Sequence, residues 1–159
     1  MPRDEKPDET ERVSLRLTDY LPYQLSLASN QVSRMVARAY QARFGLTIWE
    51  WRIIAVLGEG EPTTAQALCE ATAMDKVTVS RAVRSLADRN LISRSENATD
   101  RRSSLLCLTD DGLSVYDDVA PVTLGAERDL IEGMSAGEVA LLVQLLNRLK
   151  DRAQSILGE

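Results

Sequence analysis

The stretch Asp75–Asn90, DKVTVSRAVRSLADRN, decides how the rest of the chain is read. Wound at about 3.6 residues per turn, it places Val79, Val83 and Leu86 on one side, with Ala82 beside them. Val77, Ser80, Arg81 and Arg84 fall on the other side, and Lys76 and Thr78 lie in the first turn. Asp75 is a suitable N-cap, because its carboxylate can accept from the first free amides. An exposed helix N-terminus also attracts phosphate. One face packs on a core and the other presents guanidiniums and hydroxyls. That suits an ordinary amphipathic surface helix or a helix that reads DNA, and the flanking sequence decides between them.

After Asn90 the apolar period changes from helical to alternating. Leu91–Arg94 and Ser104–Thr109 read as two short strands, joined by the polar, turn-forming Glu96–Arg102. This is a β-hairpin with a long tip that carries Arg101 and Arg102. Arginine on such a tip suits a narrow minor groove, where the negative potential is enhanced. Before Asp75, Pro62-Thr63-Thr64 is a short extended piece. A third helix follows from Thr63 or Thr64, with Ala65, Leu68 and Cys69 facing inward. A turn at Thr72–Met74 joins it to the Asp75 helix, making a helix-turn-helix. With the hairpin behind it, this is a winged helix.

The outer segments read as helices. Leu21–Phe44 carries an apolar stripe of Leu21, Leu25, Ala28, Val32, Met35, Val36, Ala39 and Tyr40, with Pro22 in its first turn and Gly45 as its stop. Thr47-Ile48-Trp49-Glu50 is a capping box that opens the next helix, with Trp51, Ile54 and Ala55 inward and Trp49 half exposed. A long helix starts at Thr109–Gly112, with Leu113, Tyr116, Val119 and Ala120 early in it. Pro121 is expected to kink it or cut it in two. Ser135–Glu138 is a second capping box, and the helix behind it bears Val139, Leu142, Leu145, Leu146, Leu149, Ala153 and Ile156. The first and last stripes exceed what a winged helix needs. They either cover each other within one chain or pair with a second copy, and a two-fold operator favours the copy.

Composition narrows the function. The chain has 159 residues and a net charge of −5, but residues 75–102 carry 7 Lys/Arg against 4 Asp/Glu, net +3. A cationic patch on an acidic body is a plausible DNA footprint. There is no histidine, so imidazole metal sites and histidine general-base chemistry are not expected. No cofactor is expected, and there is no glycine-rich phosphate loop. An enzyme is disfavoured. No apolar run is long enough to span a membrane, and the start MPRDEKPDETER lacks an apolar signal core; the expected location is the cytoplasm. Cys69 and Cys107 read as plain thiols in a reducing compartment.

The order of helix, helix, helix-turn-helix, wing, long helix and last helix resembles the MarR family of transcription regulators, over about residues 20–157. The specific stretch is MDKVTVSRAVRSLADRNLISRSENATDRRSSLLCLTDDG, residues 74–112. Asp100-Arg101-Arg102 matches the family's D-x-R wing motif, and Leu108-Thr109 with Gly112 matches its LT-x-x-G. Asn90 stands where the family often has glycine, and asparagine tolerates a left-handed turn. The resemblance implies a homodimer on a pseudo-palindromic operator, with the Asp75–Asn90 helix in the major groove and Arg102 in the minor groove. Asp100 would orient Arg102 or another arginine through a charge-assisted bond.

Chemistry then assigns expected roles. Arg81 and Arg84 suit guanine edges, and Ser80 and Thr78 suit bases or phosphates. Lys76, Thr64, Gln66 and Arg94 suit phosphates; Arg94 equally suits a strand-edge ion pair. The family resemblance further implies a repressor released by a small effector. Arg16, Tyr20, Tyr23, Trp51 and Arg52 are its candidate site, fitted to an aromatic acid or its thioester, although Trp51 also reads as core and Arg52 as half of a structural ion pair. The expected organisation is mostly α: a flexible tail at 1–15, a dimerisation helix at 16–45, a winged helix-turn-helix at 46–110 and C-terminal dimerisation helices at 111–159. The alternatives are a helical protein-interaction module without specific DNA binding, or a redox-responsive regulator using Cys69 or Cys107. The peroxide-sensing members carry a reactive cysteine near the first helix, and this chain has none there.

Overall fold

A computed structural model describes residues 14–158; most of the expected 1–15 tail lies outside them. The described residues hold six helices and three strands: α1 Leu21–Phe44, α2 Ile48–Leu57, β1 Thr63–Thr64, α3 Ala65–Thr72, α4 Lys76–Asp88, β2 Ile92–Glu96, β3 Ser104–Leu108, α5 Asp110–Leu130 and α6 Ala136–Leu157. The fold is mostly helical, with a winged helix-turn-helix at its centre.

Local chemistry sets the boundaries. Gly45 ends α1 at φ 63°, and its amide donates to the Gln41 carbonyl at 2.9 Å. Both capping boxes form: Thr47 with Glu50, and Ser135 with Glu138. Asp75 caps α4 by accepting from the Val77 and Thr78 amides, both at 2.9 Å. Asn90 takes the left-handed turn at φ 58°, with its amide on the Ala87 carbonyl.

The strands form an antiparallel sheet in the order β1-β3-β2, with Arg94 opposite Leu106 and Thr64 opposite Leu105. The core lies between this sheet, α2, α3 and the apolar side of α4. Val79, Val83 and Leu86 are buried there with Ala82, against Ile53, Ile54, Leu57 and Leu68. This is the helical-wheel assignment of α4, realised. The expected third helix begins at Ala65, with Thr64 as its cap. Ala65 itself is exposed: it stands on Leu68's side of α3 but in the first turn, at the rim, and Leu68 one turn on is the residue that is buried.

One expectation about α5 narrows. Pro121 does not cut it; α5 runs through to Leu130. Asp117, whose carbonyl loses its amide partner to Pro121, is exposed like Pro121 itself, where water can satisfy it. Leu113 is exposed. In α1 only Ala37 and Tyr40 are buried. The rest of its stripe is half-buried against α5 or open, with Ala28 and Ala39 exposed. No residue of α6 is buried, and Leu142, Leu145, Leu146 and Leu149 are each at least 40% exposed. The first and last stripes therefore do not cover each other within one chain.

The wing is locked to α5 at Gly112. The Thr109 amide donates to the Leu91 carbonyl at 3.1 Å, and a methyl group built on Gly112 would lie 1.9 Å from that carbonyl oxygen. Gly112→Ala is therefore expected to lower stability by about 1–3 kcal/mol through overpacking, read as a fall in Tm in a thermal melt; an unchanged Tm would contradict this close approach.

Candidate nucleic-acid interface

Helix α4 presents its outward side as the wheel predicts: Lys76, Val77, Ser80, Arg81 and Arg84 are exposed. Asp75 holds the first turn. Besides the two amides, its second carboxylate oxygen accepts from the Thr78 hydroxyl at 2.6 Å. These hydrogen bonds, Thr78's foremost, hold its carboxyl below the ordinary value although burial opposes them slightly. Thr78 is thus half-buried and committed to the cap, and only its remaining lone pairs face outward.

Six of the expected contact residues come together. Thr64, Gln66, Lys76, Ser80, Arg94 and Arg102 line one cavity of about 440 Å³ between α3, α4 and the wing. Cys69, Ser103 and Ser104 complete its wall. Three cations and several hydroxyls converging from separate elements make a surface suited to a sugar-phosphate backbone. Arg94 also lines a hollow on the wing itself, of about 700 Å³, together with Arg101. Arg81 and Thr78 lie elsewhere, in a shallow cleft with Trp49, Glu50 and Ser85. Arg84 is exposed on the helix between them.

The wing tip is a hydrogen-bonded knot. Asn97 Oδ1 accepts from the Thr99 and Asp100 amides at 3.0 and 3.3 Å, and its Nδ2 donates to Ser103 Oγ at 2.9 Å. Asp100 Oδ1 accepts from the Arg102 backbone amide at 3.0 Å. The expected bond to an arginine side chain is therefore corrected. Asp100 shapes the turn from which Arg101 and Arg102 project, since a carboxylate two residues upstream meets the amide before it can reach the guanidinium. Asn97 and Ser103 were not singled out from sequence, although Asn-x-x-Asp-x-x-Ser is a legible turn signal.

Behind α4 stands Glu50, 5% exposed. Its Oε2 accepts from the Thr47 amide at 2.7 Å, and its Oε1 from Ser85 Oγ at 2.6 Å. Burial works against the anion, but the bonds from Ser85 and Thr47 and the nearby Arg89 charge outweigh it, and the carboxyl lies below its ordinary 4.5.

The five candidate effector residues do not come together. Arg52 lines a groove of about 810 Å³ between α1 and α2, with Arg34, Arg38, Asn30 and Trp49. Its guanidinium lies 5.4 Å from the Trp49 ring centroid. Trp51 faces away into an aromatic stack, 5.8 Å from Tyr40 and 6.1 Å from Tyr116. Burial pushes the Tyr40 phenol up to about 12, against the pull of the Arg52 charge. Arg16 and Tyr20 share a separate small cleft, and Tyr23 is exposed on α1. The five stand on separate segments, before α1, on α1 and on α2, and the helix pitch sends Trp51 and Arg52 in different directions. Cys69 and Cys107 are both half-buried free thiols.

Comparison with known proteins agrees with this geometry. A MarR family model matches residues 44–103, which span α2 to the wing. The transcriptional repressor NicR of Pseudomonas putida is 26% identical, over 84% of this chain and 89% of that protein. A MarR/EmrR family regulator from Acinetobacter sp. ADP1 is 26% identical and superimposes with a TM-score of 0.82, over 89% of this chain and 99% of that one. The chain belongs to the MarR family. A probable transcriptional regulator from Pseudomonas aeruginosa, 30% identical, covers 84% of this MarR chain and 99% of its own, with a TM-score of 0.72. This MarR protein is a DNA-binding transcription regulator rather than an enzyme. No described helix is long and apolar enough to cross a membrane.

Because the folded-state carboxyl of Glu50 lies below 4.5, its anion contributes stability in full above that pH, and loses it as pH falls toward the folded value. Glu50→Gln is expected to flatten the acid limb of the Tm–pH profile. An acid limb identical to that of the wild type would show that Glu50 does not contribute to it.

Proposed function

We propose that this regulator binds a pseudo-palindromic operator as a homodimer, with α4 in the major groove and the wing in the minor groove. The observation that carries this reading is the convergence of Lys76 and Ser80 from α4 with Arg94 and Arg102 from the wing on one face. Arg81 and Arg84 read guanine edges, and exposed Val77 suits a thymine methyl group. Thr64, Gln66, Lys76 and Arg94 hold phosphates, Ser80 serves base or backbone, Thr78, its proton held by Asp75, accepts from a base donor, and Arg101 and Arg102 enter the minor groove from the turn that Asp100 shapes. The dimer is supported by the leucine stripe of α6, which nothing among the described residues covers, and by the open Leu21 and Leu27 of α1. An exposed apolar patch of this kind marks an interaction surface. The dimerisation region is α1 with α5 and α6, flanking the winged helix at about 46–110.

Repression released by a small acid is the regulatory reading. It is supported by the α1–α2 groove, where Arg34, Arg38 and Arg52 stand beside the Trp49 ring. Guanidiniums beside an aromatic face suit an aromatic carboxylate or its thioester. Arg16, Tyr20 and Tyr23 join this proposal only through the partner subunit, since within one chain they lie apart from Arg52. The protein works in the cytoplasm on this reading, and NicR, a relative, is named a repressor.

Fluorescence anisotropy on a duplex from upstream of the gene, titrated over several salt concentrations, tests the DNA reading. Arg81→Ala is expected to cost about 1–3 kcal/mol and relax specificity at its base, while Lys76→Ala lowers the salt slope by about 1. Equal, weak binding to random DNA, unchanged by either substitution, would sink it. For the dimer, Leu142→Asp with Leu146→Asp is expected to give monomers in sedimentation velocity and to abolish operator binding. For the effector, Arg52→Ala is expected to leave operator binding intact and to remove release by aromatic carboxylates; release unchanged would place the effector elsewhere.

A further inference from the structure

The last turns of α4 carry a second set of contacts, along the edge of the DNA-reading side. Ser85 and Arg89 are four residues apart and so share a stripe of the helix. Ser85 Oγ donates to the buried carboxylate of Glu50 at 2.6 Å. Arg89 Nη2 donates to the Phe44 carbonyl at 3.1 Å, and Nη1 to the Gly45 carbonyl at 3.3 Å. Those carbonyls are the C-terminal end of α1, left without amide partners and carrying the negative end of its dipole. Glu50 also caps α2 through the Thr47 amide. One stripe of α4 therefore grips the elbow Phe44–Glu50, where α1 turns into α2. The partners are 35, 44 and 45 residues apart in sequence.

We propose that Arg89, acting with Ser85 and Glu50, is a positioning residue for operator recognition, one that ties the tilt of α4 to the end of α1. This rests on the reading above that α4 enters the groove and α1 belongs to the dimer interface. Two half-sites are read together only if both recognition helices keep a fixed separation and angle. The apolar side of α4 permits some sliding on the core, whereas two guanidinium bonds and a hydroxyl–carboxylate bond have direction. They convert the placement of α1 in the dimer into the placement of α4. A shift of α1, from an effector in the groove it shares with α2, reaches the DNA through the same bonds.

The test compares wild type, Arg89→Ala, Arg89→Lys, Ser85→Ala and a Leu86→Val control. Leu86 is buried on the same helix, carries none of the elbow bonds and lies outside the cavity of the DNA-contact residues, so its truncation loosens α4 alone. Each is titrated against an operator selected from a random pool and against a random duplex, over several salt concentrations. Arg89→Ala and Ser85→Ala are expected to weaken operator binding about tenfold, the scale of one charge-assisted bond. Binding to the random duplex and the salt slope stay unchanged. Arg89→Lys restores part of the loss, and Leu86→Val keeps the operator preference at a matched fall in Tm. A salt slope reduced by about 1, with equal loss on both duplexes, would make Arg89 a phosphate contact and overturn the proposal. So would an equal loss of preference in Leu86→Val, which would reduce the effect to stability. Full preference retained by Arg89→Ala overturns this proposal alone. A wild-type chain with no operator preference overturns the DNA reading and the proposal together.

Discussion

A carboxylate held at 5% exposure in the core must have its lone pairs satisfied, or it costs several kcal/mol. Glu50 meets this demand from two directions, with the amide of Thr47 on one oxygen and the hydroxyl of Ser85 on the other. The first bond starts α2, and the second holds α4 against it. Moving α4 by an ångström would break the Ser85 bond and leave one carboxylate oxygen without it, so α4 takes its place from the helix beneath it. The wing is fixed in turn, because the chain leaves α4 through the left-handed Asn90, whose carbonyl accepts from Thr109 Oγ at 2.6 Å. Thr109 caps α5. A connected set of directional bonds thus runs from α1 through α2 and α4 to α5.

The distribution of charge and apolar surface follows a similar division. Acidic side chains are spread over the ends of the chain, and the surplus of Lys/Arg is confined to residues 75–102. An overall negative charge keeps the body off nonspecific polyanions, while the local patch supplies attraction where the fold aims it. The apolar surplus is left on α6 and the outer side of α1, away from that patch. The chain thus keeps its open apolar face apart from its cationic face. The elbow at Phe44–Glu50 is where the two meet.

Much of this was legible in the residues. The two capping boxes, the stop at Gly45 and the cap at Asp75 are local bonds among residues within four positions, and each appears where the motif lies. The apolar side of α4 needed only the helical period. Of the two outcomes open at Pro121, a kink or a cut, the cut does not occur: an exposed proline loses one hydrogen bond that water can replace, and α5 continues. Asp100 was read as a charge partner because carboxylates attract guanidiniums, whereas the backbone amide of Arg102 lay nearer. The effector candidates lie apart within one chain, because Trp51 and Arg52, adjacent in sequence, leave α2 about 100° apart.

What the sequence alone determined is therefore the set of elements, their ends and the apolar and polar sides of α4, because these depend on short-range periodicity and local hydrogen bonds. Tertiary structure decided which side chains meet. The Ser85–Glu50 and Arg89–Gly45 bonds span 35 and 44 residues, and nothing in local spacing encodes a contact made only when α2 and α4 pack. The same holds for the cavity shared by Thr64, Lys76 and Arg102, and for the stripe of α6 that stays open. A pattern shows that a face is apolar; only the packed chain shows whether anything covers it.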